Sequence, residues 1–355
     1  MKKYFLILIA AGFYLQACKE NEFEKVGKET ITATKAQENS KWTRLPDYQY
    51  DGSSGNWLNP NGYAFAVGDK GYISGGNFDL NAFVEFNTTC KQYTLKSQIP
   101  LNFATGLASF SIGPMGYVGS GTGLAPGGEL YGLTDFFQYN TQTDTWVRKA
   151  RLPQSLSGAV GFSINGKGYI GVGMIDTIRK SESAPLETFY YPSKILYEYN
   201  PSSDCWIRKA DFPGEPRIEA VAFTIGDKAY VATGLKFGRT GALKDFWEYD
   251  PKFNKWTRKA DFPGTARYDA AGFSVGNRGY IGTGESYRTS VPNIYQEDFW
   301  EYDPSKDSWQ QTEKFHLGGR AQTIYFSTKS KGYVAGGNAL DIAYYNDLWE
   351  FDPSK

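Results

Sequence analysis

The feature that most constrains this chain is a pair of aromatic residues seven positions apart that recurs six times. The pairs are Phe65/Tyr72, Phe110/Tyr117, Phe162/Tyr169, Phe223/Tyr230, Phe273/Tyr280 and Phe326/Tyr333. A second pair with the same spacing follows five of them: Phe86/Tyr93, Tyr139/Trp146, Tyr199/Trp206, Tyr249/Trp256 and Tyr302/Trp309. Self-similarity at a regular spacing indicates that one supersecondary unit is repeated along the chain. The sequence therefore predicts six copies of one unit.

Each unit contains four short runs that are typical of β-strands. In unit four the first run, strand a, is Val221–Ile225, and strand b holds Tyr230. Strand c covers 245–250 and ends before a proline, and strand d begins at Trp256. Runs of four to six such residues, separated by Gly, Asn, Asp and Pro, are strand and turn signals. We expect an all-β chain of four-stranded units.

These runs resemble Kelch repeats. The resemblance rests on the glycine and tyrosine of strand b, on the Asp-x-Trp-x-Tyr-Asp-Pro pattern of strand c (245–251), and on the tryptophan that opens strand d. It covers residues 41–355, and unit one departs most, with Phe86 and Tyr93 in place of the usual Tyr and Trp. The resemblance implies a six-bladed β-propeller in which each unit is one four-stranded blade.

The two ends of the repeat region are complementary. Unit six has strands a to c but no strand d, because the chain ends at Lys355. The segment that begins at Trp42 has the pattern of a strand d with no unit before it. We expect this N-terminal segment to be the outer strand of the last blade, which closes the ring.

Variation in length is confined to one connection of the repeat. The distance from the strand b tyrosine to the strand c aromatic residue is 14, 22, 30, 19, 22 and 18 residues in units one to six. In a four-stranded meander the b–c loops and the d–a connections open on the same face. Variable loops on a rigid scaffold are where binding sites usually lie. We therefore expect the function to be at this loop face.

The N-terminus predicts export and lipid anchoring. Residues 1–17 combine Lys2 and Lys3 with an apolar stretch, as in a signal peptide. The end of this segment, 15–18, resembles the lipobox of bacterial lipoproteins, which implies lipidation of Cys18. Residues 18–40 are polar and without period, which favours a disordered tether between the lipid and the propeller at 41–355. We expect an exported bacterial lipoprotein of the outer membrane, facing either the periplasm or the cell surface.

Composition excludes several classes of function. The chain has 38 Lys and Arg residues together and 38 Asp and Glu residues together. It therefore has no net positive charge that would attract nucleic acid. Cys90 and Cys205 fall in units that are not neighbours, and we expect no disulfide between them. Galactose-oxidase-type enzymes have a similar propeller but need two histidine ligands for copper, and His316 is the single histidine here. We predict no metal site and no cofactor.

Candidate ligand-binding residues lie in the d–a connections of units four to six. Six residues before the strand a phenylalanine stand Arg217, Arg267 and Arg320, where units one to three have Asn59, Ala104 and Leu156. Two positions further on are Glu219, Asp269 and Gln322. We expect these side chains to surround the channel mouth on the loop face. An arginine fork suits carboxylate recognition by a ligand, and pairing with carboxylates of the protein is the alternative.

Loop residues of the same units extend this candidate site. They are Arg239, Glu285, Tyr287, Arg288, Asp341, Tyr344 and Tyr345, and the longest loop contributes Arg179, Tyr190 and Tyr191. Aromatic side chains beside arginines and carboxylates suit a sugar or an acidic peptide, and solvation of the loops is the alternative. Asp135, Asp245, Asp298 and Asp347 recur at the start of strand c, and we expect them to be structural.

Two functions follow from this reading. The first is a membrane-anchored propeller without chemistry of its own that binds a glycan, an acidic small molecule, a peptide or a partner protein at its loop face. The second is an exported sugar-processing enzyme, because the chain is similar to N-acetylneuraminate epimerases, which are sialic-acid mutarotases with the same propeller. Mutarotation needs only a positioned acid and base. Under that resemblance Glu219, Asp269 and Glu285 are the candidate catalytic groups.

Overall fold

The computed structural model describes residues 40–47, 62–75, 82–101, 103–125, 128–181, 184–236, 238, 241–287, 294–315, 318–339 and 343–355, with the backbone alone for 176–181, 184–190 and 343. Every described residue belongs to one compact unit, Asn39–Lys355. None of the described segments forms a helix with the length and hydropathy that crossing a membrane requires.

Six antiparallel four-stranded sheets make up the described structure, and each sheet is one repeat unit. Strands a to d of blade 1 are Tyr63–Val67, Lys70–Ser74, Phe83–Asn87 and Gln92–Leu95, and those of blade 2 are Ala108–Ile112, Met115–Gly119, Phe136–Asn140 and Thr145–Arg148. Blade 3 has Val160–Ile164, Lys167–Gly171, Leu196–Asn200 and Cys205–Arg208, and blade 4 has Val221–Ile225, Lys228–Ala232, Phe246–Asp250 and Lys255–Lys259. Blade 5 has Ala271–Val275, Arg278–Gly282, Phe299–Asp303 and Ser308–Thr312.

Blade 6 joins the two ends of the chain, as the sequence predicts. Its strands a to c are Ile324–Ser327, Gly332–Ala335 and Leu348–Phe351, and its strand d is the N-terminal Trp42–Arg44. Trp42 is directly opposite Phe351, with 4.9 Å between the ring centroids. This is the sixth copy of the second aromatic pair. The inner strands contact one another in cyclic order, and strand a of blade 6 contacts strand a of blade 1.

The seven-residue spacing has a direct structural cause. Residues seven apart are opposite each other across the a–b and c–d hairpins. Their rings stack in the a–b hairpins, as those of Phe65 and Tyr72 do, and meet at a tilt in the c–d hairpins, as those of Tyr139 and Trp146 do. The strand a phenylalanine also packs against the next blade, because a Cβ placed on Gly116 would lie 2.0 Å from the Phe65 ring. Glycine before the strand b tyrosine therefore makes room for the neighbouring blade.

Polar groups of the buried aromatic residues are bonded within and between blades. The Tyr72 hydroxyl donates to Glu85 of strand c at 2.9 Å, and the same Tyr–Glu bond recurs in blades 3 to 6. The indole N–H of Trp206 donates to the Ala150 carbonyl of the preceding blade at 2.8 Å, and Trp42 does the same to Glu313 at 3.2 Å. Buried polar atoms need such partners, and the repeat therefore supplies hydrogen-bond partners for its own tyrosine and tryptophan side chains.

The loop face carries short ribbons outside the blades. They are Ala104–Thr105 with Thr122–Leu124 and Leu130–Gly132, Met174–Ser181 with Ala184–Pro192, Arg217–Ile218 with Leu235–Lys236, Glu285–Ser286 with Ile294–Tyr295, and Asn338–Ala339 with Ala343–Tyr344. Two of these pairings, with isolated bridges such as Tyr268 to Glu285, join a d–a connection to a b–c loop. The two kinds of connection therefore share one face, as predicted. Cys90 and Cys205 are free thiols.

Candidate functional site

The three arginines of units four to six lie inside their blades, and the expectation that their guanidinium groups face the channel mouth is wrong. Arg217, Arg267 and Arg320 are at most 1% exposed. In blade 4 the guanidinium of Arg217 donates to both carboxylate oxygens of Asp245, at 2.6 and 2.7 Å, and to the Thr233 carbonyl at 2.9 Å. These donors are used within the blade and are screened from any ligand.

The same arrangement recurs in the next two blades. Arg267 is paired with Asp298 at 2.6 Å, and Arg320 is paired with Asp347 at 2.7 Å. In each of the three blades a tryptophan N–H bonds to the same carboxylate and a phenylalanine ring lies under the guanidinium, as Phe212 lies 4.9 Å from Arg217. The structure thus shows the alternative, Arg–carboxylate pairing, and confirms that Asp245, Asp298 and Asp347 are structural. In blade 2 Asp135 instead pairs with Arg148 at 2.8 Å.

Comparison among the blades explains why sequence reasoning misplaced these arginines. The equivalent positions in blades 2 and 3 hold Ala104 and Leu156, and both are fully buried. Leu156 belongs to the same apolar cluster as Ile195, which takes the place of the strand c aspartate in blade 3. The position is therefore a core position, occupied either by an ion pair or by apolar side chains. The joint occurrence of Arg and Asp in units four to six was a usable signal.

Burial and pairing act in opposite directions on the aspartates. Burial alone would raise the pKa of the Asp245 carboxyl, but the hydrogen bonds and charge of Arg217 hold that pKa below its ordinary value. The pKa of Asp298 is lowered in the same way by Arg267. Both carboxylates remain charged at neutral pH, which agrees with a permanent ion pair.

The channel mouth is lined by one residue from each of the described d–a connections, those that lead into blades 2 to 6. We call Gly106, Gly158, Glu219, Asp269 and Gln322 the mouth ring. All five have a left-handed backbone, with φ between 52° and 63°. From Gly158 onward, each N–H donates to the carbonyl of the preceding member, over 3.0 to 3.2 Å. The ring is thus a chain of backbone hydrogen bonds that crosses from blade to blade.

The side chains of the mouth ring are unequally distributed. Blades 2 and 3 contribute glycine, for which a left-handed φ has no steric cost, whereas blades 4 to 6 contribute Glu219, Asp269 and Gln322. A left-handed conformation costs another residue on the order of 1–2 kcal/mol. These three half-buried side chains line a cavity of about 120 Å³ at the mouth. The mouth therefore carries carboxylate and amide groups on the side of blades 4 to 6.

Tyr268 and Glu285 lie beside the mouth ring. Their backbones are bonded in both directions, with N–H to carbonyl distances of 3.1 and 3.0 Å. Burial raises the pKa of Tyr268 above its ordinary value, and the hydrogen bond to Glu285 and the charges of Glu285, Asp269 and Glu219 raise it further. Glu285 therefore lies beside the residue that precedes Asp269, while Glu219 and Asp269 line the mouth cavity. Tyr268 was not anticipated from the sequence.

The other predicted site residues are more dispersed. Tyr344 is exposed, and Tyr345 is half-buried with its ring 4.0 Å from the Arg320 guanidinium. Tyr287 is half-buried, and Tyr191 is exposed on the longest ribbon, where the side chains of Arg179 and Tyr190 are not described. Arg239, Arg288, Asp341, His316 and the lipidation residue Cys18 lie outside the described residues.

Comparisons with known proteins identify the fold and some relatives. Residues 216–263, which cover most of blade 4, match the Kelch motif. N-acetylneuraminate epimerases from Escherichia coli O9:H4 (strain HS) and Shigella sonnei (strain Ss046) are each 27% identical over 175 residues. These alignments cover 40% of this chain and 48% of each relative, so the chain spans about half the length of the curated relatives it matches.

A solved structure supports the architecture over most of the chain. The structure of YjhT superposes with a TM-score of 0.69 at 18% identity and covers 86% of this chain and 95% of its own. At that identity the likeness concerns the fold. Together with the sixfold repeat and the motif match, it shows that this chain is a Kelch-repeat β-propeller.

Proposed function

We propose that this propeller binds a reducing sugar at the channel mouth and catalyses exchange between its anomers. The observation that carries the proposal is that Glu219 and Asp269 both line the cavity at the loop-face end of the axis, with Glu285 bonded to the neighbouring Tyr268. The names of the relatives, which are sugar epimerases, support the same class of reaction.

The chemistry requires one group that accepts a proton and one that donates a proton. In the proposed step Asp269 takes the proton of the anomeric hydroxyl while Glu219, in its acid form, protonates the ring oxygen. The bond between the anomeric carbon and the ring oxygen breaks, and a carbonyl forms. Closure on the other face reverses both transfers: Glu219 takes back the proton of the attacking hydroxyl, and Asp269 returns its proton to the carbonyl oxygen, which becomes the new anomeric hydroxyl. No oxidant, reductant or second substrate enters the balance.

The test is to measure anomer exchange directly. A freshly dissolved single anomer of N-acetylneuraminate, and in parallel of glucose, is followed by proton NMR with and without the protein. We expect acceleration over buffer and at least a ~100-fold loss for Asp269→Asn, which removes the base. Asp261→Asn, the same substitution at an outer-edge aspartate paired with Arg258, is the matched control. Equal rates with and without the wild-type protein would remove the proposal.

Binding without chemistry is the second candidate. It is favoured by four exposed apolar side chains, one on each of four loop-face ribbons: Leu130, Tyr191, Ile294 and Tyr344. These residues lie on the same face as the mouth ring and suit a larger glycan or a peptide. If this candidate is right, a binding screen finds a ligand whose affinity falls in Tyr344→Ser, and anomer exchange stays at the buffer rate for every sugar.

A further inference from the structure

The axial channel has one residue that breaks its sixfold pattern. The residue directly before each strand a phenylalanine lines the channel, and in blades 1 to 6 the residues at this level are Ala64, Ser109, Gly161, Ala222, Gly272 and Tyr325. Five of the six have at most two side-chain heavy atoms beyond Cα. Blade 6 alone places an aromatic ring in the channel.

Tyr325 lies where three segments of the channel meet. The mouth, the upper channel and the lower channel have volumes of about 120, 130 and 180 Å³, and each could hold several waters. Among the described residues, Tyr325 is the single one that lines all three segments. Blade 3, which is opposite blade 6 in a ring of six, presents Gly161 at this level.

Tyr325 lines the same mouth cavity as Asp269. Burial, and then the charge of Asp269, raise the pKa of Tyr325 to about 12. The phenol therefore keeps its proton at neutral pH and serves as a hydrogen-bond donor. An adjacent carboxylate is an acceptor. A ligand hydroxyl can satisfy both groups at once, because it donates one hydrogen bond and accepts others.

We propose that Tyr325 is the floor of the mouth site and selects ligands that insert a hydroxyl group between its phenol and Asp269. The proposal rests on the proposed function, since it names how the same site would recognise a sugar. It also assigns Tyr325 a role that needs no catalysis, namely to separate the mouth from the lower channel. Tyr325 is thus a specificity-determining residue.

The first arm of the test concerns the channel and is independent of sugar. Tyr325→Gly reproduces the residue of blades 3 and 5 and leaves a space with the shape of a phenol. We expect saturable binding of millimolar p-cresol to this variant by ligand-observed NMR, and none to the wild type. If p-cresol binds both proteins equally, Tyr325 does not fill the channel, and the proposal that it forms the floor of the mouth site is overturned.

The second arm concerns recognition of the hydroxyl. Tyr325→Phe keeps the ring, and we expect it to weaken sugar binding ~10-fold, the effect of losing one hydrogen bond. In Tyr325→Gly, p-cresol should restore sugar affinity and toluene should not. Tyr93→Phe, which removes a hydroxyl bonded to the Pro46 carbonyl at the outer edge of blade 1, is the control. Unchanged affinity in Tyr325→Phe would overturn the selection of hydroxyl groups.

The two proposals fail in different ways. If the wild type binds no sugar and exchanges no anomers, the proposed function and the hydroxyl selection both fall, and the p-cresol arm still decides whether Tyr325 closes the channel. If anomers exchange but Tyr325→Phe matches the wild type in KM and kcat, the proposed function stands and Tyr325 has no part in it.

Discussion

At the scale of single residues, charge in this protein serves two distinct purposes. Arg217, Arg267 and Arg320 are buried and paired, and they hold the start of strand c against the d–a connection. Glu219 and Asp269, two positions after the first two arginines, lie at the mouth. Side chains only two positions apart in the sequence thus point in different directions: the arginines point into the blade, and the acidic residues point toward the axis.

The buried ion pair of blade 4 should be essential for stability. Removing one partner of a buried pair leaves an uncompensated charge and costs about 3–5 kcal/mol. We therefore expect Arg217→Ala to lower the free energy of unfolding in urea by that amount. Arg258→Ala, which breaks an exposed pair with Asp261, should cost about 0–1 kcal/mol.

A double substitution separates charge from packing. Arg217→Leu with Asp245→Ile reproduces the apolar residues of blade 3, so it should recover most of the stability lost in Arg217→Ala. A double variant as unstable as the single one would show that the ion pair itself, rather than the filled space, is required.

The same pair predicts part of the acid sensitivity. The folded pKa of Asp245 is lower than its unfolded value of about 3.9, so its stabilising contribution is present above that pH and is lost as the pH falls through the folded pKa. We expect the unfolding free energy of the Arg217→Leu/Asp245→Ile variant to fall less steeply than that of the wild type below about pH 5. If the unfolding free energies of the two proteins fall in parallel below about pH 5, this assignment of the acid sensitivity to Asp245 is contradicted.

At the scale of strands, the sequence was informative wherever the repeat holds. The seven-residue spacing predicts which residues are opposite in each hairpin, and the hairpin of Phe223 and Tyr230 has that register. The closing strand at Trp42 was predicted for the same reason. Position within the repeat, however, does not reveal side-chain direction at a connection. Arg217 and Glu219 therefore looked equivalent until the backbone showed which of them is buried.

Residues that depart from the repeat were harder to interpret. Tyr325 occupies a strand a position that holds small residues elsewhere, and aligning the six strands would have singled it out. Tyr268 gave no such signal, because its importance comes from pairing with Glu285 across a connection whose register depends on the fold.

The closing strand gives a prediction at this scale. Trp42 is 1% exposed and packs against Phe299, Phe315 and Phe351. Replacement of a buried tryptophan by alanine costs about 3–5 kcal/mol, and we expect Trp42→Ala to reduce stability in urea by this amount. Arg44→Ala in the same strand, at an exposed pair with Asp47, is the control and should cost about 0–1 kcal/mol. Similar small losses in both variants would mean that the ring does not depend on this strand.

At the scale of the whole molecule, the ring is symmetric in its framework and asymmetric at its mouth. The blades repeat one hydrogen-bonding scheme, yet carboxylate and amide side chains in the described mouth ring come from blades 4 to 6 alone. The predicted signal peptide and lipidation at Cys18 would place this body beside a membrane after export. They remain predictions of the sequence.

The measurement that tests the account most directly is the rate of anomer exchange catalysed by Asp269→Gly, taken beside its unfolding free energy. Glycine already occupies this left-handed ring position in blades 2 and 3, so stability should stay within about 1 kcal/mol of the wild type. The account predicts that the folded variant loses at least ~100-fold in exchange rate. A folded variant that exchanges anomers as fast as the wild type would contradict it.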